Sequence, residues 1–283
     1  HDPNHNNVRA RVWSTEGNFQ KQMKSFKNDL LIRMRKAVTK RAKAPYTKNR
    51  NHFYLIFAEA DDIPGILVHY LNGEILVQFY MSFWDQYKDF FIQNLTKTIN
   101  EVMSLDICFE NIWIQERSAQ KLPAKCNDPN VSFRNLEINE YDVKYKVTLG
   151  KYYDHGIYTD MASIRKRLEK TFKGSKSVLN LFSYTGAFSA YALKQGAEKV
   201  ISVDLSQDYL DWLEENIKLN EFADGTHESI CAPTKDTLNE LLKRKQTFDF
   251  IISDIRVSKK SSTIVDDKFF EKPRFLNILF DKY

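Results

Sequence analysis

Apolar and polar positions follow two different patterns along the chain. In the first half, short apolar runs predict four β-strands, at residues 52–57, 65–70, 74–79 and 111–115. Residues 71–73, Leu-Asn-Gly, are a hairpin turn signal between the second and third runs. Apolar residues at helical spacing predict a helix over residues 84–103. The first half is therefore expected to form a small α+β domain.

In the second half, apolar strands alternate with amphipathic helices. The predicted strands cover residues 177–182, 199–203, 229–232 and 248–253. Asp160 is expected to cap the helix before the first of these strands, and Ser206 the helix after the second. Gly196 is expected to close the helix that begins at Ala187. This alternation predicts a doubly wound parallel sheet, with a domain boundary near residue 146.

A basic, amphipathic helix is predicted before the first strand. Eleven Lys or Arg residues and a single acid, Asp29, lie between Lys21 and Arg50. Apolar residues at three- and four-residue steps form one face: Phe19, Met23, Phe26, Leu30, Met34 and Val38. Such a helix docks its apolar face and exposes its cations, which pair with phosphates. The stretch predicts contact with nucleic acid, the alternative being a solvated lysine-rich surface.

Residues 178–188 have the pattern of a strand, a short polar turn and a helix, which is typical of a nucleotide-binding loop. Four of its side chains can hydrogen-bond a ligand: Asn180, Ser183, Tyr184 and Thr185. Gly186 is expected to let the backbone approach that ligand closely. Asp204 ends the next strand, where a carboxylate can take both ribose hydroxyls. Taken alone, the loop could also be a simple chain turn.

The glycine content of this loop favours one cofactor over another. The dinucleotide fingerprint G-x-G-x-x-G seats a pyrophosphate on a helix N-terminus, whereas Gly186 stands alone here. S-adenosylmethionine carries an adenosine without phosphate and suits such a loop better than NAD. Ligands bind at the carboxyl ends of parallel strands, which places residues 180–186, Asp204, residues 232–234 and Asp254 around one crevice.

Two segments resemble the S-adenosylmethionine motifs of the bacterial ribosomal-RNA large-subunit methyltransferases: residues 180–189 (NLFSYTGAFS) and 203–206 (VDLS). That family includes cytosine carbon-5 and guanine nitrogen-7 enzymes. Residues 156–160 (GIYTD) with Arg165 resemble the family's segment G-[FIL]-[FY]-L-D-x-R-x-x-R, which lies against the cofactor, although Met161 and Ala162 replace its usual residues.

Further upstream, residues 58–68 (AEADDIPGILV) resemble the family's G-E-S-D-G-L-P-G-L-x-V segment. Residues 5–14 resemble the end of its N-terminal RNA-binding module. The resemblance implies three parts: a remnant of that module at 1–14, a central α+β domain with the basic helix at 15–145, and a methyltransferase domain at 146–283. The last part is expected to be incomplete at its C-terminal end.

The resemblance implies an α/β fold, a Rossmann-like class I methyltransferase with a doubly wound sheet preceded by a smaller α+β domain. It implies S-adenosylmethionine as cofactor, bound by Tyr158, Asp160, Asn180, Phe182, Ser183, Tyr184, Thr185, Gly186, Asp204, Leu205 and Asp254. Asp254 is also the candidate catalytic residue. Phe182 and Tyr184 have the alternative of packing as core aromatics, and Asp160 that of a helix cap.

Two segments depart from the family pattern. The family's D-P-P-[ST]-F segment is replaced by residues 254–258 (DIRVS), and Pro233 stands where the family offers an acid to adenine, with Asp236 three residues on. Cytosine carbon-5 chemistry also needs a cysteine nucleophile. Cys231 is predicted to be a core thiol facing the sheet, and the nucleophile is expected beyond Tyr283.

Composition agrees with a globular RNA-modifying enzyme. The chain is 42% hydrophobic over 283 residues, has a net charge of +5 and contains three separated cysteines, which signal neither a disulfide framework nor a metal site. A run of 18 apolar residues and a signal peptide are both lacking, so a cytoplasmic location without membrane contact is expected.

The favoured function is methylation of a large-subunit ribosomal RNA base, with cytosine carbon 5 the first choice and ribosomal RNA the partner. A homodimer is possible, because the family contains dimers. Three alternatives stay open: a guanine nitrogen-7 enzyme, an RNA-binding relative that has lost catalysis, and a nicotinamide-dependent oxidoreductase on the same sheet.

Overall fold

The structure is a computed structural model that describes residues 11–14, 24–117 and 120–254. The chain forms two compact units: His1–Glu140 with Val147–His155, and Tyr141–Lys146 with Gly156–Tyr283. Parts of the sequence predictions fall outside the described residues, namely residues 5–10, Phe19, Met23 and the segment after Asp254. Within the described ranges, no helix is both long and apolar enough to cross a membrane.

The first unit is built on a five-stranded sheet in the order β1-β2-β3-β4-β5. Its strands are β1 His52–Phe57, β2 Ile66–Leu71, β3 Glu74–Phe79, β4 Ile112–Glu116 and β5 Lys125–Cys126. Neighbours pair antiparallel except β3 and β4, which are parallel. Two helices pack with it, α1 Phe26–Ala42 and α2 Lys88–Met103. The predicted α+β domain, with its four main strands and its long helix, is confirmed.

Helix α1 buries the face that the sequence predicted. Phe26, Leu30, Met34 and Val38 are each no more than 3% exposed. The basic residues do not all lie on the outside, because Arg41 is also buried. Its guanidinium donates two hydrogen bonds to the carboxylate of Asp61, one of them 2.6 Å long. One cation of the basic stretch is therefore part of the fold of this unit.

The turn after β1 contains two residues with left-handed backbone. Ala58 has φ +43° and Asp62 has φ +59°. Both stand where the resembling family segment has glycine. An L-residue in this region pays a steric penalty that glycine avoids. The turn keeps the conformation because Asp61 accepts the Phe57 N–H at 2.7 Å and the backbone of Ile63 donates to the Ala58 carbonyl.

The second unit contains a four-stranded sheet in the order β10-β9-β8-β11, with all neighbours parallel. Its strands are β8 Ser177–Leu181, β9 Lys199–Asp204, β10 His227–Cys231 and β11 Phe250–Ser253. Its helices are α3 Ala162–Arg167, α4 Glu169–Phe172, α5 Ala187–Lys194, α6 Gln207–Leu219 and α7 Thr234–Lys243. This confirms the predicted doubly wound parallel sheet.

Two strands, β6 Arg134–Glu140 and β7 Val143–Leu149, form a separate two-stranded sheet. The turn between them and the first residues of β7, together Tyr141–Lys146, belong to the second unit. The 3-10 helices are Pro45–Lys48, Ala58–Asp61, Ser82–Tyr87, Phe109–Asn111 and Thr159–Met161.

The helix termini test the predicted caps. Ser206 caps α6, because its hydroxyl accepts the Tyr209 N–H at 3.4 Å. Gly196 follows the end of α5 with φ +98°, as expected of a closing glycine. The predicted Asp160 cap is wrong. Asp160 lies exposed inside the 3-10 turn, which delays the start of α3 to Ala162.

The prediction that Cys231 is a core thiol is also wrong. Cys231 is exposed at the carboxyl end of β10, with its sulfur 3.6 Å from the carbonyl oxygen of Leu205. Strand β10 lies at one end of the described sheet, and none of its five residues is fully buried. A strand in that position has one side without a partner, so an apolar or sulfur side chain on it need not face the core.

Candidate cofactor site

The loop between β8 and α5 has an unusual backbone. Phe182, Tyr184 and Gly186 all have left-handed φ angles, of +58°, +51° and +76°. Two aromatic residues in this region are strained, because their Cβ atoms crowd the following carbonyl. Neighbouring backbone holds the loop, since the Ser183 N–H donates to Val203 at 3.0 Å and the Gly186 N–H to Ser183 at 2.9 Å. Strain of this kind is found mostly at functional sites.

Asp204 fixes the same loop from the adjacent strand. One carboxylate oxygen accepts the Tyr184 N–H at 2.9 Å, and the other accepts the Ser206 N–H at 3.0 Å. Asp204 is half-buried, so the carboxylate is oriented and still reachable from solvent. Each carboxylate oxygen can accept a further hydrogen bond. The two remaining positions suit a pair of neighbouring hydroxyls, as in a ribose.

Gly186 has a packing role that the sequence did not predict. A Cβ atom at this position would lie 2.3 Å from the Leu213 Cγ atom on α6. The space into which a Cβ atom would point is thus taken by a core side chain. With φ +76° and this contact, glycine permits the close approach of α6 to the start of α5.

The predicted site residues divide into a buried and an accessible set. Asn180, Ser183, Thr185 and Gly186 are buried. The Asn180 amide donates to the Ser189 hydroxyl at 2.8 Å, and the Thr185 hydroxyl donates to the Gly156 carbonyl at 2.6 Å. These two side chains hold the loop in place. The accessible set comprises Tyr158, Asp160, Phe182, Tyr184, Asp204, Leu205 and Asp254.

Ser183 is the exception among the buried residues. Its side-chain oxygen has no hydrogen-bond partner among the residues that the structure describes, although Ser183 is only 5% exposed. A buried hydroxyl without a partner is destabilising unless a ligand or water completes it. This oxygen lies in the loop next to the N–H that Asp204 accepts. The site therefore offers an unused hydrogen-bonding group for a bound ligand.

Aromatic and apolar side chains surround the carboxylate. Tyr184 lies between Tyr158 and Tyr209, with ring centroids 5.4 and 4.6 Å away, and its hydroxyl accepts the Gly156 N–H at 3.1 Å. Tyr158 is 46% exposed and Leu205 is 68% exposed. Exposed apolar surface beside an oriented carboxylate is what an adenosine requires. Phe182 is half-buried and packs against the core of this sheet.

The segment that contains Tyr158 is anchored at both ends. Gly156 has φ +104°, and a Cβ atom there would lie 2.2 Å from the Trp212 ring. At the other end Arg165 is only 1% exposed, lies 5.5 Å from the centre of the Phe188 ring, and donates to the Tyr158 carbonyl at 3.4 Å. These contacts place Tyr158 beside the loop.

Asp254 directly follows β11, which pairs with β8. The register Ser253↔Leu181 sets Asp254 at the same edge of the sheet as the loop, and Leu181↔Val203 sets Asp204 there as well. The carboxyl ends of three adjacent strands thus meet, as the alternating pattern predicted. The Ile255-Arg256 departure lies outside the described residues. Pro233 directly precedes α7, and its carbonyl accepts the Asp236 N–H at 3.0 Å.

A set of polar residues beneath the loop was not predicted from the sequence. Ser189, Ser202 and His227 continue the hydrogen bonding from Asn180, and all three lie on different elements. The available signal was weak: Ser189 and Ser202 are small polar residues at positions where the helix and the strand bury their side chains. Nothing in the local pattern shows that they meet.

The fold and the oriented carboxylate define a nucleoside-binding α/β domain. The family model described as S-adenosylmethionine-dependent methyltransferase matches residues 126–280, and the chain belongs to that family. The predicted cofactor, S-adenosylmethionine, is thereby confirmed. The solved structure of SMU.776, a protein assigned as a methyltransferase and crystallised with SAH, has a TM-score of 0.71 at 22% identity. The matched region covers 83% of this chain and 60% of the SMU.776 chain, and this similarity confirms the predicted fold.

Two curated relatives confirm the resemblance to the ribosomal-RNA enzymes. Ribosomal RNA large subunit methyltransferase K of Neisseria meningitidis is 36% identical over 160 residues, which are 56% of this chain and 45% of the relative. Ribosomal RNA large subunit methyltransferase I of Aliivibrio fischeri is 31% identical over 265 residues, 87% of this chain and 61% of the relative. The chain thus spans about half the length of the curated relatives it matches.

Proposed function

We propose that this chain is part of an S-adenosylmethionine-dependent methyltransferase that modifies a base of large-subunit ribosomal RNA. The observation that carries the proposal is the loop of residues 182–186, whose left-handed backbone is fixed by the carboxylate of Asp204. The names of the two curated relatives supply the class of substrate.

The residues that would hold the cofactor follow from their accessibility. Asp204 would accept hydrogen bonds from the ribose hydroxyls, because both its oxygens are oriented by backbone N–H groups. Leu205 and Tyr158 would provide apolar surface for the adenosine, and the Ser183 hydroxyl would bond a polar group of the methionine part. When bound, S-adenosylmethionine supplies an electrophilic methyl group. Asp254, at the end of β11, is the acidic residue proposed beside the target base.

The basic stretch that contains helix α1 supports RNA as the partner, although less strongly than its composition predicted. Several of its cations pair with acids of the same unit: Arg33 with Asp29, Arg35 with Glu101, Lys36 with Asp62, and Arg41 with Asp61. Lys24, Lys43 and Lys48 are exposed, and within the described residues no ion pair involves them. These cations remain available to phosphates.

The finer proposal concerns the target base, and we retain cytosine carbon 5 from the family resemblance. That reaction needs a cysteine thiolate to attack carbon 6. Cys231, the cysteine of the second unit, lies beside Leu205, on the side proposed for the adenosine. Guanine nitrogen 7 is the second candidate, because that nitrogen has its own lone pair and requires no protein nucleophile.

Product analysis tests the proposal and separates the two bases. Unmodified large-subunit RNA is incubated with the protein and methyl-labelled S-adenosylmethionine, digested to nucleosides and examined by mass spectrometry. We expect label in 5-methylcytidine, and label in 7-methylguanosine would establish the second candidate. Binding of RNA and cofactor without transfer of label would support a relative that has lost catalysis. Label transfer to protein or small molecules alone would contradict an RNA substrate.

A further inference from the structure

A chain of hydrogen bonds runs beneath the cofactor loop and joins five residues, which we call the relay. The Asn180 amide donates to the Ser189 hydroxyl at 2.8 Å, and Ser189 bonds Ser202 at 2.7 Å. Ser202 bonds Nε2 of His227 at 2.8 Å, and Nδ1 of His227 lies 3.2 Å from a carboxylate oxygen of Glu214. The relay thus connects β8, α5, β9, β10 and α6.

Water has almost no access to the first four residues of the relay, whereas the side chain of the fifth, Glu214, is 40% exposed. Asn180 is 2% exposed, Ser189 and Ser202 are fully buried, and the His227 side chain is 4% exposed. A buried hydroxyl proton needs an acceptor, and leaving it without one is destabilising. The proton positions along the relay therefore depend on one another.

The direction of the relay is fixed at its first member. The Asn180 Nδ2 group can only donate, so the Ser189 hydroxyl accepts and turns its own proton toward Ser202. Ser202 then donates to Nε2 of His227, which must be unprotonated. The proton of the neutral imidazole lies on Nδ1 and points to Glu214. Each inner hydroxyl accepts one hydrogen bond and donates one.

A second proton on His227 breaks this order. Protonated Nε2 becomes a donor to Ser202, which must reverse and turn its proton toward Ser189. Ser189 already accepts from Asn180, and its own proton then has no acceptor within the relay. The Ser189 proton regains an acceptor within the relay only if Asn180 turns its amide oxygen toward Ser189. Asn180 lies two residues before the first left-handed residue of the loop, Phe182.

We propose that Ser202 and His227 are positioning residues for the cofactor loop, and that neutral His227 is required for full cofactor affinity. The inference rests on the proposed function, because it assigns the loop to S-adenosylmethionine. When His227 takes up a proton at the far side of β9, the resulting reversal of hydrogen bonds would pass through Ser202, Ser189 and Asn180 to the loop.

Burial favours the neutral state of His227, and the charges around it oppose this effect. Burial lowers the pKa of His227, while the carboxylates of Glu214 and Glu228 oppose this shift. Glu228 on β10 pairs with Lys199 of β9 at 3.2 Å, and Glu214 on α6 also accepts the Ser229 hydroxyl at 2.6 Å. The net effect is a lowered pKa, so His227 takes up its second proton below the ordinary pH range of a histidine.

Calorimetric binding of S-adenosylhomocysteine at pH 7.5 and pH 5.5 tests the proposal in three proteins. His227→Gln offers one acceptor and one donor without titrating, so the wild-type protein should lose about five-fold more affinity on acidification than this variant. Glu215→Gln is the matched control, since Glu215 is exposed and pairs with Lys146 outside the relay. It should behave as the wild type. An equal loss in wild type and His227→Gln would overturn the proposal.

A ligand-free measurement separates failure of the relay from failure of the proposed function. The hydrogen-exchange rates of residues 180–186 are measured in the wild type and in His227→Gln. The ratio of the two rates at each pH cancels the intrinsic effect of pH on exchange. Faster relative exchange of the wild type at pH 5.5 supports the relay, and a constant ratio overturns it, even if no cofactor binds. Ser202→Ala serves as the second variant, should His227→Gln fail to fold, and it should abolish the same pH dependence.

Discussion

At the scale of single residues, left-handed backbone at positions without glycine marks the places where this chain carries strain. Phe182 and Tyr184 belong to the candidate cofactor loop, where strain is fixed by Asp204. Ala58 and Asp62 belong to a turn of the first unit and stand where the resembling family segment has glycine. Ala58 lies outside the candidate cofactor loop, so its strain should be removable without affecting that loop.

Ala58→Gly is expected to stabilise the protein by about 0.5–1 kcal/mol, because glycine relieves the penalty of φ +43° and loses only part of that gain to backbone entropy. Urea unfolding followed by circular dichroism measures the change. Ala60→Gly, two residues on in the same 3-10 helix, is the control and should destabilise slightly. Destabilisation by Ala58→Gly equal to that by Ala60→Gly would contradict the strain.

At the scale of elements, the approach of α6 to the start of α5 depends on Gly186. Gly186→Ala is expected to destabilise the protein by about 2–4 kcal/mol, because the new Cβ atom meets Leu213 in addition to adopting φ +76°. Gly174→Ala has almost the same backbone angle, φ +77°, with open space around it, and should lose only about 1 kcal/mol. Equal losses in chemical unfolding would show that packing against Leu213 is unimportant.

Helix α1 is held to the first unit by a buried ion pair. Arg41→Leu leaves the buried Asp61 carboxylate with only the exposed Lys40, 3.7 Å away, and the Phe57 N–H as partners, and is expected to destabilise the protein by about 3–5 kcal/mol. The exposed pair of Arg35 on α1 and Glu101 on α2, whose nitrogen and oxygen atoms are 2.9 Å apart, provides the comparison. Arg35→Leu should change the free energy of unfolding by less than about 1 kcal/mol. Similar effects of the two substitutions would refute the distinction.

Features with a local signal could be predicted from the sequence. The buried face of α1, the parallel sheet, the Ser206 cap and the closing Gly196 all follow from spacing or from one turn of chain. The pairing of Arg41 with Asp61 depends on residues twenty positions apart, and nothing in the basic stretch distinguishes Arg41 from its neighbours. Asp160 was mispredicted because a 3-10 turn shifts the start of a helix without changing the residue types around it.

The candidate site shows the same limit. Asp204 could be predicted from its separation in sequence from the loop. The packing of Gly186 against Leu213 could not, because Leu213 comes from another helix. Cys231 was expected in the core since strands of such sheets are usually covered on both faces, and only the strand order shows that β10 lies at the edge of the described sheet. The relay joins residues from five elements, and sequence spacing carries no information about such a meeting.

At the scale of the whole molecule, buried histidines make stability depend on pH. Burial lowers the pKa of His155 to about 4, with Arg117 and His52 adding to the shift and Asp154 opposing it. Burial also lowers the pKa of His69 well below its ordinary value. The unfolded chain, with ordinary histidine pKa values near 6.5, binds these protons first. Stability is therefore full above about pH 6.5 and declines as the pH falls toward 4.

The free energy of unfolding should fall by about 3 kcal/mol for His155 alone between pH 6.5 and pH 4, as urea midpoints over this range would show. His155→Gln should reduce the slope, because glutamine does not titrate there, and His69 should account for part of what remains. An unchanged slope in this variant would contradict the assignment to His155.

The central claim is that Asp204 and the loop it fixes bind S-adenosylmethionine, and calorimetric titration of the cofactor into Asp204→Ala tests it most directly. The substitution removes the acceptors proposed for the ribose and releases the Tyr184 and Ser206 N–H groups, so affinity should fall at least about 30-fold. Asp208→Ala, with the same change of charge in the first turn of α6, should bind as the wild type does. Undiminished binding by Asp204→Ala would contradict the account.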